Sequence, residues 1–203
     1  MNNLSKYWDN IHLNYKSSYD NWMDKYLDDI KKDFKIIELG CGRAYNSIYL
    51  LENGYNVIAC DFSKEVISIL NKELPSLKTK VFDMTDKFPF NDSSFDIVIA
   101  DLCLHYFDEK QTINILEEIK RILKPNGYMI GRVNSSNDKF HIPEQAEKIE
   151  TNFYYDGKIY KRFFESKDFE TFFKDFKIIN LEEKVMDRYE KTKILWEFKI
   201  KKV

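Results

Sequence analysis

The chain has 203 residues, 43% of them hydrophobic and 16% aromatic, which is enough for one domain with a substantial apolar core. Its 32 Lys and Arg residues nearly balance 34 Asp and Glu residues, for a formal net charge of −2. This balance argues against nucleic acid as a partner and gives no electrostatic basis for binding an anionic membrane.

The three cysteines, Cys41, Cys60 and Cys103, lie near the ends of predicted strands and have no paired spacing. We therefore expect buried, reduced thiols and neither a zinc site nor a disulfide framework. The three histidines are far apart in the chain, so no metal site is expected from them either. No signal pattern begins the chain, and no apolar stretch approaches the ~20 residues that cross a bilayer. These features predict a soluble, cytoplasmic protein.

Residues 1–33 carry aromatic and aliphatic side chains at helical spacing, with Asp20 as a predicted helix N-cap. From Lys35 onward predicted strands and helices alternate, which indicates a mostly parallel sheet covered by helices on both faces. The predicted strands are 35–39, 56–60, 77–82, 95–100 and 128–133, and the predicted helices are 45–52, a segment capped by Ser63, and 109–123.

Residues 134–173 interrupt this alternation with a polar stretch followed by a cluster of aromatic residues. Two runs of alternating apolar and polar residues, 176–185 and 193–201, close the chain. They predict an antiparallel pair of strands at one edge of the sheet.

A glycine turn, Gly40-Cys41-Gly42-Arg43-Ala44, follows the first predicted strand. A dinucleotide-binding turn of the type G-x-G-x-x-G would need glycine at position 45, which is Tyr45. Gly40, Gly42 and Ala44 fit the spacing G-x-G-x-(G/A), and Glu38 stands two residues before the first glycine. Glycine lets the backbone approach a ligand closely, although a purely structural turn between strand and helix has the same appearance.

Acidic residues also stand at the ends of the next two predicted strands. Asp61 follows the second glycine at the spacing by which a βαβ unit places a carboxylate on ribose hydroxyls. Asp83 follows the third strand, and ligands of open α/β sheets bind where such strand ends meet. Considered singly, Asp61 has the alternative of capping the next helix, and Asp83 that of a simple turn acid.

The glycine turn with its acid, together with Asp61, Asp83-Met84 and the stretches 88–106 and 123–127, resembles the class I S-adenosylmethionine-dependent methyltransferases, whose first motif is (D/E)-x-G-x-G-x-G. The resemblance covers at least residues 35–133, with Ala44 in place of the third glycine. It implies an α/β fold with a Rossmann-like, seven-stranded, mostly parallel sheet, helices on both faces and an antiparallel C-terminal edge hairpin. It also implies S-adenosyl-L-methionine as the cofactor of a methyltransferase.

The resemblance implies that the glycine turn holds the methionine moiety of the cofactor, with Asp61 on the ribose and Asp83-Met84 on the adenine. Tyr15, in the N-terminal segment, is a further candidate because it could close over the cofactor. The residues predicted to bind the cofactor are Glu38, Gly40, Cys41, Gly42, Asp61, Phe62, Asp83, Met84, Asp101, Leu102 and Tyr15.

Three shorter stretches, 46–50, 53–57 and 157–164, are similar to the tellurite-resistance (TehB-like) small methyltransferases. This subgroup resemblance implies a small acceptor, with a soft thiol or a chalcogen compound as the first candidate. A small-molecule O- or N-methyltransferase is the alternative within the family. A nicotinamide-dependent oxidoreductase and a non-catalytic S-adenosylmethionine-binding module are alternatives from other classes.

His105 is the predicted general base, because it follows the fourth strand and an imidazole accepts protons near neutral pH. Alternatively, His105 is a hydrogen-bonded residue in the wall of the site and has no part in proton transfer. Tyr106 is predicted to lie in the same wall. His141 and Arg162 are predicted to contact the acceptor, Arg162 as a fork-shaped partner for an oxyanion. A plain surface arginine is the alternative for Arg162.

We expect a single domain over residues 1–203. Its parts are a helical cap over 1–33, a cofactor-binding core over 34–133, an acceptor-side insertion over 134–173 and the C-terminal hairpin over 174–203. The predicted partner is a small-molecule methyl acceptor, with no nucleic acid and no membrane. The predicted assembly is a monomer or a homodimer.

Overall fold

The computed structural model describes residues 7–11, 19–142, 145–187 and 191–203. Residues 7–11 are helical. The strands are β1 (Lys35–Leu39), β2 (Asn56–Asp61), β3 (Lys78–Val81), β4 (Phe95–Asp101), β5 (Leu123–Asn134), β6 (Glu147–Glu150), β7 (Phe153–Tyr155), β8 (Tyr160–Arg162), β9 (Phe176–Met186) and β10 (Lys193–Lys202). The helices are α1 (Tyr45–Glu52), α2 (Lys64–Glu73), α3 (Glu109–Ile122) and α4 (Asp168–Phe172), with short 3₁₀ helices at Asp24–Asp29, Leu104–Tyr106 and Lys139–His141.

Seven strands form one sheet in the order β3-β2-β1-β4-β5-β10-β9. Strands β1 to β5 run parallel, whereas β10 is antiparallel to both β5 and β9. The predicted fold class, with its antiparallel C-terminal edge, is therefore confirmed. Successive strands build outward from β1 on one side and from β4 on the other, so the strand order switches between these two. Ligands of open α/β sheets bind at such a switch point, beyond the carboxyl ends of the strands.

The central strand β1 is buried on both faces, which explains its continuous apolar run. Ile37 and Leu39 belong to one apolar core, and Ile36 belongs to a second core on the opposite face of the sheet. The helices begin at side-chain caps where the sequence supplies them. Ser63 accepts a hydrogen bond from the Val66 amide at the start of α2, at 3.0 Å.

Two local predictions are wrong. Asp20 does not cap a helix, because the 3₁₀ helix starts at Asp24 after Met23, and the Asp20 carboxylate instead accepts hydrogen bonds from Arg132. A buried guanidinium outweighs a local capping preference, since it needs a charged partner. Strand β5 begins at Leu123, five residues before the predicted strand, and so includes the residues between the predicted helix and the predicted strand.

Residues 134–173 contain a small antiparallel sheet, in the order β6-β7-β8, which the sequence analysis did not predict. Its aromatic side chains explain it, since Phe153 and Tyr160 stack across β7 and β8 at 5.5 Å between ring centroids. Phe163 and Phe164, just after β8, are fully buried. Within the described ranges, no helix combines the length and the apolar character needed to span a membrane.

Candidate functional site

A cavity of about 560 Å³ lies at the carboxyl ends of the parallel strands, a volume typical of small-molecule sites. It contains most of the predicted site. Of the predicted residues, the cavity lining includes Glu38, Gly40, Cys41, Gly42, Asp61, Phe62, Asp83, Met84, Asp101, Leu102 and Tyr106. Tyr15, the remaining predicted cofactor residue, falls outside the described residues. The fold thus brings together side chains that are up to 68 positions apart in the sequence.

The glycine turn adopts a left-handed backbone that explains its composition. Gly40 and Gly42 have φ angles of +59° and +51°. A Cβ atom on Gly40 would lie 2.6 Å from the Cβ of Cys103, so no larger residue fits there without displacing the loop after β4.

Ala44, which replaces the third glycine of the motif, also has a left-handed conformation, with φ 57° and ψ 33°. Its methyl group is fully buried. The substitution therefore keeps the backbone conformation that a glycine would adopt, at a cost of about 1–2 kcal/mol for an L-residue in this region. Helix α1 begins at the next residue, Tyr45.

Asp61 joins the end of β2 to the glycine turn. Its two carboxylate oxygens accept hydrogen bonds from the backbone amides of Gly42 and Ser63, each at 2.9 Å. The N-cap of α2 is Ser63, and Asp61 supports the start of this helix by accepting the Ser63 amide without being the cap itself. Asp61 is 5% exposed and lines the cavity, and a carboxylate is a group that accepts hydrogen bonds from hydroxyls.

Asp83 is the turn acid that the sequence analysis considered, while its contact with adenine stays a prediction. Its Oδ1 atom accepts hydrogen bonds from the backbone amide and the hydroxyl of Thr85, both at 2.8 Å, which makes it a turn acid. It also lines the cavity beside Met84 and Phe82.

Glu38 is buried, and its carboxylate lies at the amino end of α1. It accepts hydrogen bonds from the Asn46 side chain at 2.8 Å, from the Ser47 amide at 3.1 Å, and from the Ser47 hydroxyl. These hydrogen bonds offset the free-energy cost of burying a carboxylate, and the helix N-terminus favours the negative charge of Glu38. Burial nevertheless raises the pKa of Glu38 to about 7, and the nearby Asp101 adds to the increase.

Asp101 is held by a buried arginine. The Arg132 guanidinium donates to Asp101 at 2.7 and 2.9 Å and to Asp20 at 2.7 and 3.3 Å. Its central carbon lies 4.5 Å from the ring centroid of Trp22, whose indole N–H donates to Asn46 at 2.9 Å. This network ties the segment before β1 to the cavity wall that contains Asp101 and Asn46.

His105 is 1% exposed, and the described lining of the cavity does not include it. Its Nδ1 atom has no hydrogen-bond partner among the described residues. Burial lowers the pKa of His105 well below its ordinary value of 6.5, and the positive charges of Lys193 and Lys161 lower it further. The imidazole is therefore neutral at neutral pH, and this geometry favours a wall residue. Its role as a general base stays a prediction.

The other two predicted acceptor residues have structural partners. His141 lies 2.8 Å from Asp138 through its Nδ1 atom. Arg162 is 4% exposed, forms an ion pair with Glu150, and lies over the ring of Phe153 at 4.8 Å. Arg162 is therefore not a surface arginine. The described lining includes neither side chain, so the geometry gives no support to their predicted contact with the acceptor.

The structure adds lining residues that the sequence analysis missed. Lys193, at the start of β10, and Gln111, in α3, both line the cavity. Trp8 lies there too, with its ring 4.8 Å from that of Tyr106. These residues come from distant parts of the chain, and no local motif marks them.

The three cysteines are free and buried, as expected, and all three line this cavity. Burial raises the pKa of each thiol, so they are neutral at neutral pH. Among the described residues, no group of three or more His, Cys, Asp and Glu side chains is arranged to hold a metal ion.

Residues 37–131 match the methyltransferase domain family. The putative methyltransferase YqeM of Bacillus subtilis is 32% identical to this chain over 123 residues, which are 58% of this chain and 49% of that protein. The chain spans about half the length of the curated relatives it matches.

Solved structures have the same fold. A crystal structure of an S-adenosylmethionine-dependent methyltransferase from Methanosarcina mazei is similar with a TM-score of 0.78 and 21% identity, over 93% of this chain and 99% of that one. TehB from Haemophilus influenzae is similar with a TM-score of 0.72 and 15% identity, over 96% of this chain and 66% of that one. At these identities the likeness concerns the fold, so the tellurite-resistance subgroup stays a prediction.

The family match begins in β1 and ends in β5, so it includes the glycine turn and the strand ends that carry Asp61 and Asp101. The acidic side chains of the cavity fit the S-adenosylmethionine that such enzymes use. Carboxylates accept hydrogen bonds from ribose hydroxyls and attract a cationic sulfonium. The resemblance to methyltransferases and the S-adenosylmethionine cofactor predicted from the sequence are therefore confirmed. Residues 37–131 match the methyltransferase domain family, and the fold is that of solved S-adenosylmethionine-dependent methyltransferases.

Proposed function

We propose that this protein transfers a methyl group from S-adenosylmethionine to a small-molecule acceptor, a soft thiol or chalcogen nucleophile. The observation that carries the proposal is the extent of the cavity. Its lining includes both the predicted cofactor residues at the glycine turn and the aromatic residues Trp8, Tyr106, Phe107 and Tyr160. Methyl transfer requires a donor and an acceptor side by side in one space, and this cavity of about 560 Å³ joins the predicted cofactor residues to further wall residues.

When bound, the cofactor supplies the methyl group on a sulfonium, whose departure needs no catalytic acid from the protein. The work of the chain is to bind, orient and exclude water, and good orientation of two reactants is worth roughly 7–11 kcal/mol. Asp61 and Asp83 offer acceptors on the cofactor side of the cavity. Glu38 and Asp101 add negative potential, which favours a cationic ligand.

The environment of His105 supports a soft acceptor over an alcohol. An alcohol generally needs a general base, whereas a thiol or a chalcogen anion is a good nucleophile without one. The described lining of the cavity contains no histidine, and His105 is buried outside it. A soft acceptor therefore suits this cavity better than a simple alcohol does.

The test is a methyl-transfer assay on the purified protein with methyl-labelled S-adenosylmethionine. The candidate acceptors are thiols, selenite and tellurite, with matched alcohols and amines. We expect labelled product from the thiol or chalcogen set, formed together with the demethylated cofactor. Labelled product from only the alcohols or amines would overturn the soft acceptor and establish the O- or N-methyltransferase alternative.

Two further outcomes bear on the other classes of function. Hydride transfer with a nicotinamide cofactor, in the absence of methyl transfer, would overturn the methyltransferase proposal. Binding of S-adenosylmethionine without turnover of any acceptor in the panel would favour the non-catalytic binding module. The proposed partner remains a small molecule, and the proposed assembly remains a monomer or a homodimer, which light scattering distinguishes.

A further inference from the structure

The helix formed by residues 7–11 lies against the cavity, although it is no part of the sheet. Trp8 and Ile11 both belong to the cavity lining. The ring of Trp8 contacts that of Tyr106 edge-on, with 4.8 Å between the ring centroids. Tyr106 ends the 3₁₀ helix that follows β4, so this contact holds the helix 7–11 against the wall on the β4 side.

Asp9 connects the same helix to the loop after β2. Its carboxylate accepts a hydrogen bond from the Ser63 hydroxyl, whose oxygen also caps α2 by accepting from the Val66 amide. Ser63 is fully buried, and a buried hydroxyl needs an acceptor for its proton. The loop that Asp9 contacts carries Asp61 and Phe62, which are two of the predicted cofactor residues in the cavity lining.

These two contacts lie on opposite sides of the glycine turn. In the sheet, β1 lies between β2 and β4, and the glycine turn follows β1. Two strand spacings separate β2 from β4, a distance of about 9–10 Å, and a helix of this length extends about 7–8 Å. With its side chains, the helix 7–11 therefore spans from one neighbouring loop to the other, across the carboxyl end of β1.

A third neighbour of this helix is the small antiparallel sheet. Burial raises the pKa of Tyr7, and the negative charge of Asp156, in the turn between β7 and β8, raises it further. The amides of Lys158 and Ile159 donate to Asp156 at 3.0 and 2.9 Å and hold its carboxylate in that turn. Tyr160, the first residue of β8, lines the cavity. The helix 7–11 thus has neighbours on three sides of the cavity.

We propose that residues 7–11 form a strap that closes the cavity over the bound cofactor, with the hydrogen bond between Asp9 and Ser63 as its latch. The inference rests on the proposed function, because the cofactor is the ligand that the strap retains. Cofactor exchange then requires the strap to open, which breaks this hydrogen bond. Because Trp8 is part of the wall, the wall is complete only when the strap is closed.

Asp9 is a positioning residue in this account. The described lining of the cavity does not include Asp9, so its side chain acts through the strap and not by touching the ligand. A change at Asp9 that alters retention of the cofactor therefore reports on the strap.

The first test is hydrogen–deuterium exchange of the backbone amides of residues 7–11, in the free protein and in the protein saturated with S-adenosylhomocysteine. We expect the exchange to slow at least about fivefold on saturation, because Trp8 and Ile11 then contact the ligand and the strap opens less often. Asp9→Ala should remove most of this slowing, since alanine offers no acceptor to the Ser63 hydroxyl. Asp9→Asn should keep most of it, because the amide oxygen still accepts that hydrogen bond.

The second test is the dissociation rate constant of S-adenosylhomocysteine, measured by surface plasmon resonance. Asp9→Ala should raise it about three- to tenfold, as expected for the loss of one hydrogen bond to a charged group. Asp9→Asn should raise it less than about twofold. Asp92→Ala is the matched control, because Asp92 is an exposed acid paired with Arg121 and outside the described cavity lining. It should leave the exchange and the dissociation rate constant unchanged.

Two results would overturn the strap although S-adenosylhomocysteine binds. One is exchange at residues 7–11 that does not change on saturation, and the other is a dissociation rate constant of Asp9→Ala equal to that of the wild type. Absence of S-adenosylhomocysteine binding by a folded wild type would instead refute the proposed function, and the strap with it.

Discussion

The Asp61 carboxylate accepts a hydrogen bond from the backbone amide of Gly42 at 2.9 Å, across 19 positions of sequence. The acid at the end of β2 therefore holds the glycine turn at the end of β1 in place, while its side chain lines the cavity. One carboxylate thus serves both the shape of the turn and the surface of the cavity in which we propose that the cofactor binds.

Gly40→Ala should damage the cofactor site through a collision. Its φ of +59° costs an alanine about 1–2 kcal/mol, and contact with Cys103 at 2.6 Å should add about 1–3 kcal/mol. We expect the free energy of unfolding, measured in urea, to fall by about 2–5 kcal/mol and S-adenosylhomocysteine binding to weaken at least about tenfold.

Gly54→Ala is the control for backbone strain alone, because Gly54 has a φ of +77° but no atom within 4 Å of the added Cβ. It should cost only about 1–2 kcal/mol and leave ligand binding unchanged. Equal effects of the two substitutions on binding would show that the contact with Cys103 has no part in shaping the site.

Glu38 should make the ligand-free protein less stable as the pH rises. Its folded pKa is about 7, above the ordinary value of 4.5, so between these two values the folded state binds more protons than the unfolded state. The stabilisation is complete below pH 4.5 and is lost as the pH rises through 7. The difference in pKa corresponds to about 3 kcal/mol.

Glu38→Gln removes this titration. We expect the free energy of unfolding of the wild type, relative to Glu38→Gln, to decrease by about 3 kcal/mol between pH 4.5 and pH 8. The quantity to compare is the change of this stability difference with pH. The glutamine amide also disturbs the hydrogen bonds with Asn46 and Ser47, but by an amount that does not depend on pH. A constant difference across this range would contradict the burial of an ionisable Glu38.

His105 should affect stability on the acid side. Its folded pKa lies below its ordinary value of 6.5, so the unfolded state binds more protons below that pH and the folded protein loses stability as the pH falls. We expect His105→Gln to reduce this loss of stability at low pH, measured as the free energy of unfolding in urea at a series of pH values below 6.5.

The same variant tests the predicted general base. With an acceptor found in the methyl-transfer assay, we expect kcat of His105→Gln to fall less than about tenfold, since a wall residue contributes only packing. A fall of about 100-fold or more, together with loss of an inflection in the pH profile of kcat, would establish His105 as the base.

The gathering of the predicted cofactor residues around one cavity could be predicted because its signals are local. A strand, two glycines and an acid at the end of each neighbouring strand are short patterns, and a parallel sheet brings strand ends together whatever the rest of the chain does. The burial of Glu38 could be anticipated from its place at the end of an apolar strand, although its partners Asn46 and Ser47 could not.

The acceptor side could not be predicted because its contacts are between distant segments. Arg162 was expected to face the acceptor, but its charge is taken up by Glu150, and its guanidinium packs on Phe153. Lys193 carries no motif, and only the antiparallel pairing of β10 with β5 brings it to Asn134 and the cavity. Such pairings depend on the whole sheet rather than on spacing in the sequence.

The most direct test of the central claim is calorimetric titration of S-adenosylmethionine and S-adenosylhomocysteine into the wild type, Asp61→Ala and Asp92→Ala. Asp92 is an exposed acid paired with Arg121 and outside the described cavity lining, so its variant controls for loss of a carboxylate. We predict micromolar binding by the wild type and Asp92→Ala, weakened more than about tenfold in Asp61→Ala. Absence of binding by a folded wild type, or unchanged binding by Asp61→Ala, would contradict the account.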